Sequence, residues 1–216
     1  MNLSVRPLLL ALALVLGGCS SVYYNAMEKM GIPKRQILVD RVGEARGAQQ
    51  EAKKQFASAL EEFLSVANVP ASELKDTYDR VKSSFEDCEK RAKDVRDRID
   101  SIQSVADALF VEWSDELAQY SNPTLRAQSS RQLEATKRRY AELRRVMDQA
   151  ASRMDPVLTT FRDQVLFLKH NLNAQAIASL DGTTRALQGD INRLMADMEK
   201  SIKEADAFIA SMQVAG

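Results

Sequence analysis

The stretch LKDTYDRVKSSFEDCEKRAKDVRDRIDSIQSVADALFVEW, residues 74–113, decides the fold. Alternating steps of four and three land on Leu74, Tyr78, Val81, Phe85, Cys88, Ala92, Val95, Ile99, Ile102, Ala106, Leu109 and Trp113, all apolar. In a chain that is 45% hydrophobic, such a run arises by chance about once in ten thousand tries per frame. A period of three and a half residues keeps one helix face turned toward a partner, as in a left-handed coiled coil. Leu117 and Tyr120 continue it after a four-residue step, which relaxes the supercoil. Ser72 stands where a hydroxyl can cap the first turn.

The same period extends in both directions. Upstream, a helix starting near Lys34 turns Leu38, Val42, Ala45, Gln49, Ala52, Phe56, Ala59, Phe63 and Val66 inward, with Gln49 the single polar member. Asn68-Val69-Pro70 ends it, because proline disfavours the α conformation before it and has no amide hydrogen. Downstream, Ser121-Asn122-Pro123 makes a turn into a third helix carrying Leu133, Thr136, Tyr140, Leu143, Met147, Ala150, Met154, Val157, Phe161, Val165 and Leu168. Pro156 predicts a kink there, or a break with Asp155 as a fresh N-cap. The last turn is expected near Lys169 to Asn173, with Asn173 capping a fourth helix, and Asp181-Gly182 is the second-ranked turn. That helix carries Ile177, Leu180, Leu187, Ile191, Leu194, Met198, Ile202, Ala205, Ile209 and Met212. Eight Gly and five Pro are too few for a turn-rich β fold. The reading is therefore all-α: an elongated antiparallel helical bundle or coiled coil of three to four long helices.

Charge placement agrees with antiparallel neighbours. From Ile99 to Ser121 stand Asp100, Asp107, Glu112, Asp115 and Glu116 with no base; from Asn122 to Arg153, eight bases face three acids. A hairpin at residues 121–123 would lay these opposite blocks side by side, which disfavours wrong registers. Over the whole chain 30 basic groups balance 30 acidic ones, so no global field attracts nucleic acid.

The chain opens on an address. Arg6 is the one charge before Glu28, and Leu8 to Leu16 is an apolar run too short for a bilayer core of about 30 Å. That pattern describes a signal peptide. It ends Leu16-Gly17-Gly18-Cys19, which resembles a bacterial lipobox. The resemblance implies cleavage before Cys19 and acylation of its thiol and new amino terminus, and more than one acyl chain gives stable anchoring. By resemblance to Gram-negative lipoproteins, Ser20 in place of Asp favours the outer membrane over the inner. Tyr23 and Tyr24 suit either the headgroup level or the start of the core. The expected organisation is a signal peptide at 1–18, an anchored segment at 19–33 and a single helical domain at 34–216.

Little points to catalysis. His170 is the only imidazole, and zinc sites or catalytic triads need more ligands or partners than it has. Lys169, His170, Asn171 and Asn173 read as polar groups closing helix ends, with a binding tip as the rival reading. Lys137-Arg138-Arg139 with Arg144-Arg145 read as a salt-bridged helix face, and Glu112, Asp115 and Glu116 as a solvated one. Cys88, left without a disulfide partner if Cys19 is acylated, falls in the apolar stripe and reads as a small hydrophobe. Val165-Leu166-Phe167-Leu168 is apolar all round one turn, which means either enclosure by the other helices, the preferred reading, or a hydrophobic patch left for a partner. No metal or cofactor is expected.

Two runs, AMEKMGIPKRQILVDRV at 26–42 and LKHNLNAQAIASL at 168–180, resemble a bacterial lipoprotein family, domain of unknown function 2959. The resemblance implies a helical envelope lipoprotein and transfers no catalytic residue. Coiled-coil proteins of this kind are sometimes described as DNA-repair ATPases, but the phosphate-binding GxxxxGK[ST] loop is missing here. The expected function is non-enzymatic: a lipid-anchored scaffold or adaptor on the periplasmic face of the outer membrane, holding an envelope protein partner. The alternative is a binding module that shelters a lipid or other apolar ligand between its helices. Heptad stripes serve a homo-oligomer seam equally well.

Overall fold

The computed structural model describes residues 19–66, 70–171 and 181–214. Residues 1–18, read above as a signal peptide, with Asn68 and Val69, Asn173, Ile177 and Leu180, lie outside the described residues. Within them the chain is all-α, with no strand: α1 (Cys19–Lys29), α2 (Lys34–Ser65), α3 (Leu74–Glu116), α4 (Pro123–His170) and α5 (Asp181–Val214). The sequence-derived start of α2 at Lys34 holds. Asp181 and Gly182 lie in α5, so the described chain has no turn at that second-ranked position.

Two compact units share these helices, one from the chain up to Arg41 with Ser101–Lys137, the other from Val42–Asp100 with the chain from Arg138 onward. The second unit is an antiparallel four-helix bundle whose register can be read from its ion pairs. On α2 and α5, Arg46 meets Asp206 at 2.6 Å and Lys53 meets Glu199 at 2.7 Å, one heptad forward on α2 for one heptad back on α5. On α3 and α4, Glu89–Arg162 and Arg96–Asp155 repeat that step. Glu44–Arg98 and Glu62–Arg80 join α2 to α3, and Arg153–Asp197 joins α4 to α5. The four helices therefore close in the cyclic order α2, α3, α4, α5. Each exposed pair is worth only about 0–1 kcal/mol, so they select register while apolar burial supplies stability.

That burial follows the heptads. Every α2 stripe position from Leu38 to Val66 is buried, as are Val81 to Leu109 on α3 and Leu143 to Leu168 on α4. One layer is aromatic: the Phe161 ring meets Phe63 and Phe85 edge-on at centroid distances of 5.6 and 5.5 Å, tying α4 to α2 and α3. Inside the same unit, the fully buried Gln49 accepts a hydrogen bond from the Ser201 hydroxyl at 2.9 Å. Its amide nitrogen has no partner.

Several local expectations are corrected. Ser72 does not start α3; it lies in a 3-10 turn, Ala71–Glu73, closed by the Glu73 amide on the Pro70 carbonyl at 2.9 Å. Pro156 does not break α4, which runs continuously from Pro123 to His170, and Asp155 pairs with Arg96 instead of capping. Thr77 and Phe208 are buried, while their neighbours Tyr78 and Ile209, read as stripe members, are only half-buried.

In the first unit, α3 ends in a 3-10 turn, Leu117–Gln119, and α4 begins at Pro123. Asn122 caps α4: its Oδ1 accepts from the amides of Thr124 and Leu125 at 2.9 and 3.2 Å, while Pro123 occupies the first helical position, where no amide is needed. The Trp113 indole donates to the Ser129 hydroxyl at 2.8 Å, bridging the two helices.

Ser201→Ala should cost about 1–3 kcal/mol in urea unfolding, because it leaves the Gln49 oxygen buried and unmet. The double change Gln49→Leu with Ser201→Ala should recover most of that loss, since neither polar group then remains.

Candidate functional site: a buried lysine between two carboxylates

The polar feature of most chemical interest lies in the first unit and was not singled out in the sequence. It begins with a turn. Gly31, at φ +83°, ends α1 in the left-handed region that favours glycine. The Gly31 amide bonds the Glu28 carbonyl at 2.8 Å and the Ile32 amide bonds the Met27 carbonyl at 3.0 Å, a Schellman closure. Pro33 then leads into α2, so Lys34 stands in its first turn, six residues beyond Glu28.

The Lys34 side chain is only 4% exposed. Its Nζ lies 2.7 Å from Glu28 Oε2 and bonds Glu112 Oε2 in the last turn of α3. A buried ammonium needs such partners, because desolvating a charge without compensation costs several kcal/mol. The hydrogen bonds and charges of both glutamates outweigh desolvation and hold the Lys34 ammonium above the usual lysine range. It is thus a fixed cation at neutral pH, unsuited to act as a free amine nucleophile or base. The carboxylates diverge. The bond from Lys34 holds Glu28 below the usual glutamate range. Burial, together with the neighbouring Glu28, pushes Glu112 above it.

Around this triad lies an open hollow of about 930 Å³, walled by Glu28, Lys34 and the α3 residues Asp107, Val111, Glu112 and Asp115. Val111 is 63% exposed. Nearby, the buried Tyr24 of α1 donates its hydroxyl to Ser104 of α3 at 2.9 Å. Tyr24 at residue 104 and Glu28 at residue 112 advance together, so α1 runs parallel to α3.

The residues singled out in the sequence fare differently. Asp115 and Glu116 are exposed, as a solvated face requires, but Glu112 is not part of that face, because Lys34 draws it into the triad. Lys169 and His170 are exposed at the end of α4, and Asn171 closes that end, its Nδ2 donating to the Phe167 carbonyl at 2.9 Å. Enclosure of the 165–168 turn is overturned for half of it: Val165 and Leu168 are buried, whereas Leu166 is 53% and Phe167 38% exposed. Lys137 and Arg145 pair within α4 with Glu134 and Glu142 at 3.2 and 2.5 Å. Of the two charge blocks, Arg144 does reach across, to Asp100 at 3.7 Å and the Ile99 carbonyl at 2.9 Å, but its closer carboxylate is Asp148 on its own helix at 2.9 Å. Cys88 is fully buried, and desolvation, aided by Asp87, pushes its thiol up to about 12. Cys19 is the first residue of α1. Among the described residues no three His, Cys, Asp or Glu side chains are grouped to hold a metal ion, and no helix is long and apolar enough to cross a membrane.

The opposed carboxylates give opposed pH responses. Glu112 holds its proton more tightly folded than unfolded, so its contribution is favourable at low pH and is lost as pH rises through its raised folded value. Glu28 contributes above its ordinary value and loses that contribution as pH falls. In urea unfolding compared at pH 4 and pH 7, Glu112→Gln should gain stability relative to wild type at the higher pH. Glu28→Gln should lose it.

The family model described as a protein of unknown function, DUF2959, matches residues 23–212. No curated protein and no solved structure matches the chain. The match takes in α1 from Tyr23, both carboxylates, Lys34 and nearly all of α5, and the chain belongs to the DUF2959 family.

Proposed function

We propose that this protein is a non-enzymatic, lipid-anchored component of the Gram-negative cell envelope, acting as a helical scaffold or adaptor. The observation that carries the reading is how its reactive groups are tied off. Lys34 is held protonated between two carboxylates, and Cys88 is buried with its thiol pushed up to about 12. Groups so constrained are poor nucleophiles and bases, so work by surface contact suits them better. Leu16-Gly17-Gly18-Cys19 and the Ser at position 20 support acylation of Cys19 and residence on the periplasmic face of the outer membrane. An envelope protein is the partner this places within reach.

The rival reading, shelter for a lipid or other apolar molecule, draws support from a hollow of about 700 Å³ between α2 and α5, where Ala57, Met195 and Ile202 lie among Lys53, Lys54 and Glu199. Its lysines are matched by acids, Lys53 and Lys203 by Glu199 and Lys54 by Glu51, which leaves little charge for an anionic headgroup. The adaptor reading is therefore preferred.

Fractionation of cells making the wild-type chain and Cys19→Ser separates anchored from free protein. The wild type should pellet with outer membranes, and the variant should move to the soluble fraction without loss of helical circular dichroism. A photo-crosslinking residue at the exposed Val111 should trap one recurrent envelope protein. Uncrosslinked protein alone would count against an adaptor, and lipid retained in native mass spectrometry of Cys19→Ser would favour the shelter.

A further inference from the structure

We propose that α1 is a releasable strap, held shut against α3 by Tyr24 and the Lys34 clamp and able to swing away about Gly31. Four observations lead there. First, α1 as described has 11 residues. An isolated helix below about 12–15 residues is marginal in water, so docking contributes to keeping this segment ordered. Second, among the α1 side chains described the docking is thin: Tyr24 is buried, Met27 and Glu28 are half-buried, and Tyr23, Ala26 and Lys29 are exposed. The longer helices instead bury continuous apolar stripes.

Third, the bonds that fasten α1 are polar and exchangeable with water: the Tyr24 hydroxyl on Ser104, and Glu28 on Lys34. Lys34 and Glu112 both belong to the part that stays behind, so release of α1 breaks the bond to Glu28 and leaves the ammonium its bond to Glu112. The second carboxylate means that opening never strands an unpaired buried charge, the outcome that would make it costly. Fourth, the hinge is built in. Met30 to Pro33 separate the two helices, and Gly31 at φ +83° is the residue type that tolerates wide backbone change.

The strap's use follows if Cys19 is acylated, and to that extent it rests on the proposed function. Closed, residue 19 belongs to the helix that Tyr24 and Glu28 fasten down; open, residues 19–33 become a leash of about 50 Å when fully extended. One anchored molecule could then hold a partner at two different reaches from the membrane.

Hydrogen exchange followed by mass spectrometry on the full chain tests the strap without reference to lipid. Amides of residues 22–29 should exchange at least tenfold faster than those of 102–109 on α3, and Glu28→Gln should speed the first set several-fold more than it speeds the second or the α4 amides of 143–168. Equal protection of α1 and α3, equal acceleration of both sets, or no effect of Glu28→Gln on the first set would overturn the proposal. Spin labels at Tyr23→Cys and Gln103→Cys in a Cys19→Ser background should give a near and a far distance population, the far one larger in Glu28→Gln. A single near population in both would overturn it equally. Neither result bears on acylation of Cys19, which fractionation tests separately.

Discussion

Removal of one apolar stripe per helix from water is the constraint on which everything else in this protein depends. No disulfide links the described helices, and Cys88 is free and buried. The helices hold together because leucine, valine, alanine and phenylalanine side chains recur at seam spacing and find each other across the bundle. At about 25 cal/mol per Å² of apolar surface, such seams dominate any sum of the surface ion pairs. Their cyclic order in the second unit leaves no stripe of α2 to α5 without a facing neighbour. The ion pairs then decide which heptad faces which, a selective role that weak interactions perform well.

Polar groups inside such seams stand out because they cost energy. Gln49 and Ser201 meet across α2 and α5, an arrangement that penalises any heptad slip between those helices, since a slip would separate them. Lys34 differs in kind. It carries a full charge, sits where α1 turns into α2, and is answered from two helices at once. Gln49 with Ser201 fixes a register; Lys34 with its two carboxylates fastens a short element.

The helical class and the inward face of α2 were legible from the sequence because period and composition reinforce each other over dozens of residues. Legibility failed where two adjacent residues could each serve the seam: Thr77 beside Tyr78, and Phe208 beside Ile209, differ by one step in a pattern that itself alternates between three and four. The opposed charge blocks indicate a neighbour, yet of the bases described Arg144 alone is seen to reach an acid of the facing block, Asp100. Arg145 and Lys137 found carboxylates one turn away on their own helix, where proximity is guaranteed by geometry and no register need be satisfied. Lys34 was missed for the converse reason. Its partner Glu112 lies 78 residues distant, and nothing local distinguishes a lysine that will be buried from one that begins a helix in solvent.

The single thiol on α3 carries a consequence for biogenesis. Packed at Cys88, with ionisation pushed out to about 12, it is invisible to oxidoreductases that act on thiolates. Before the seams form, the same sulfur is an ordinary reactive group. If the chain is exported as proposed, it faces a race between collapse and mixed-disulfide capture. Neighbouring antiparallel helices joined by short connections form mostly local contacts, the topology that folds fastest. Speed of assembly thus guards a residue that has no covalent partner to protect it.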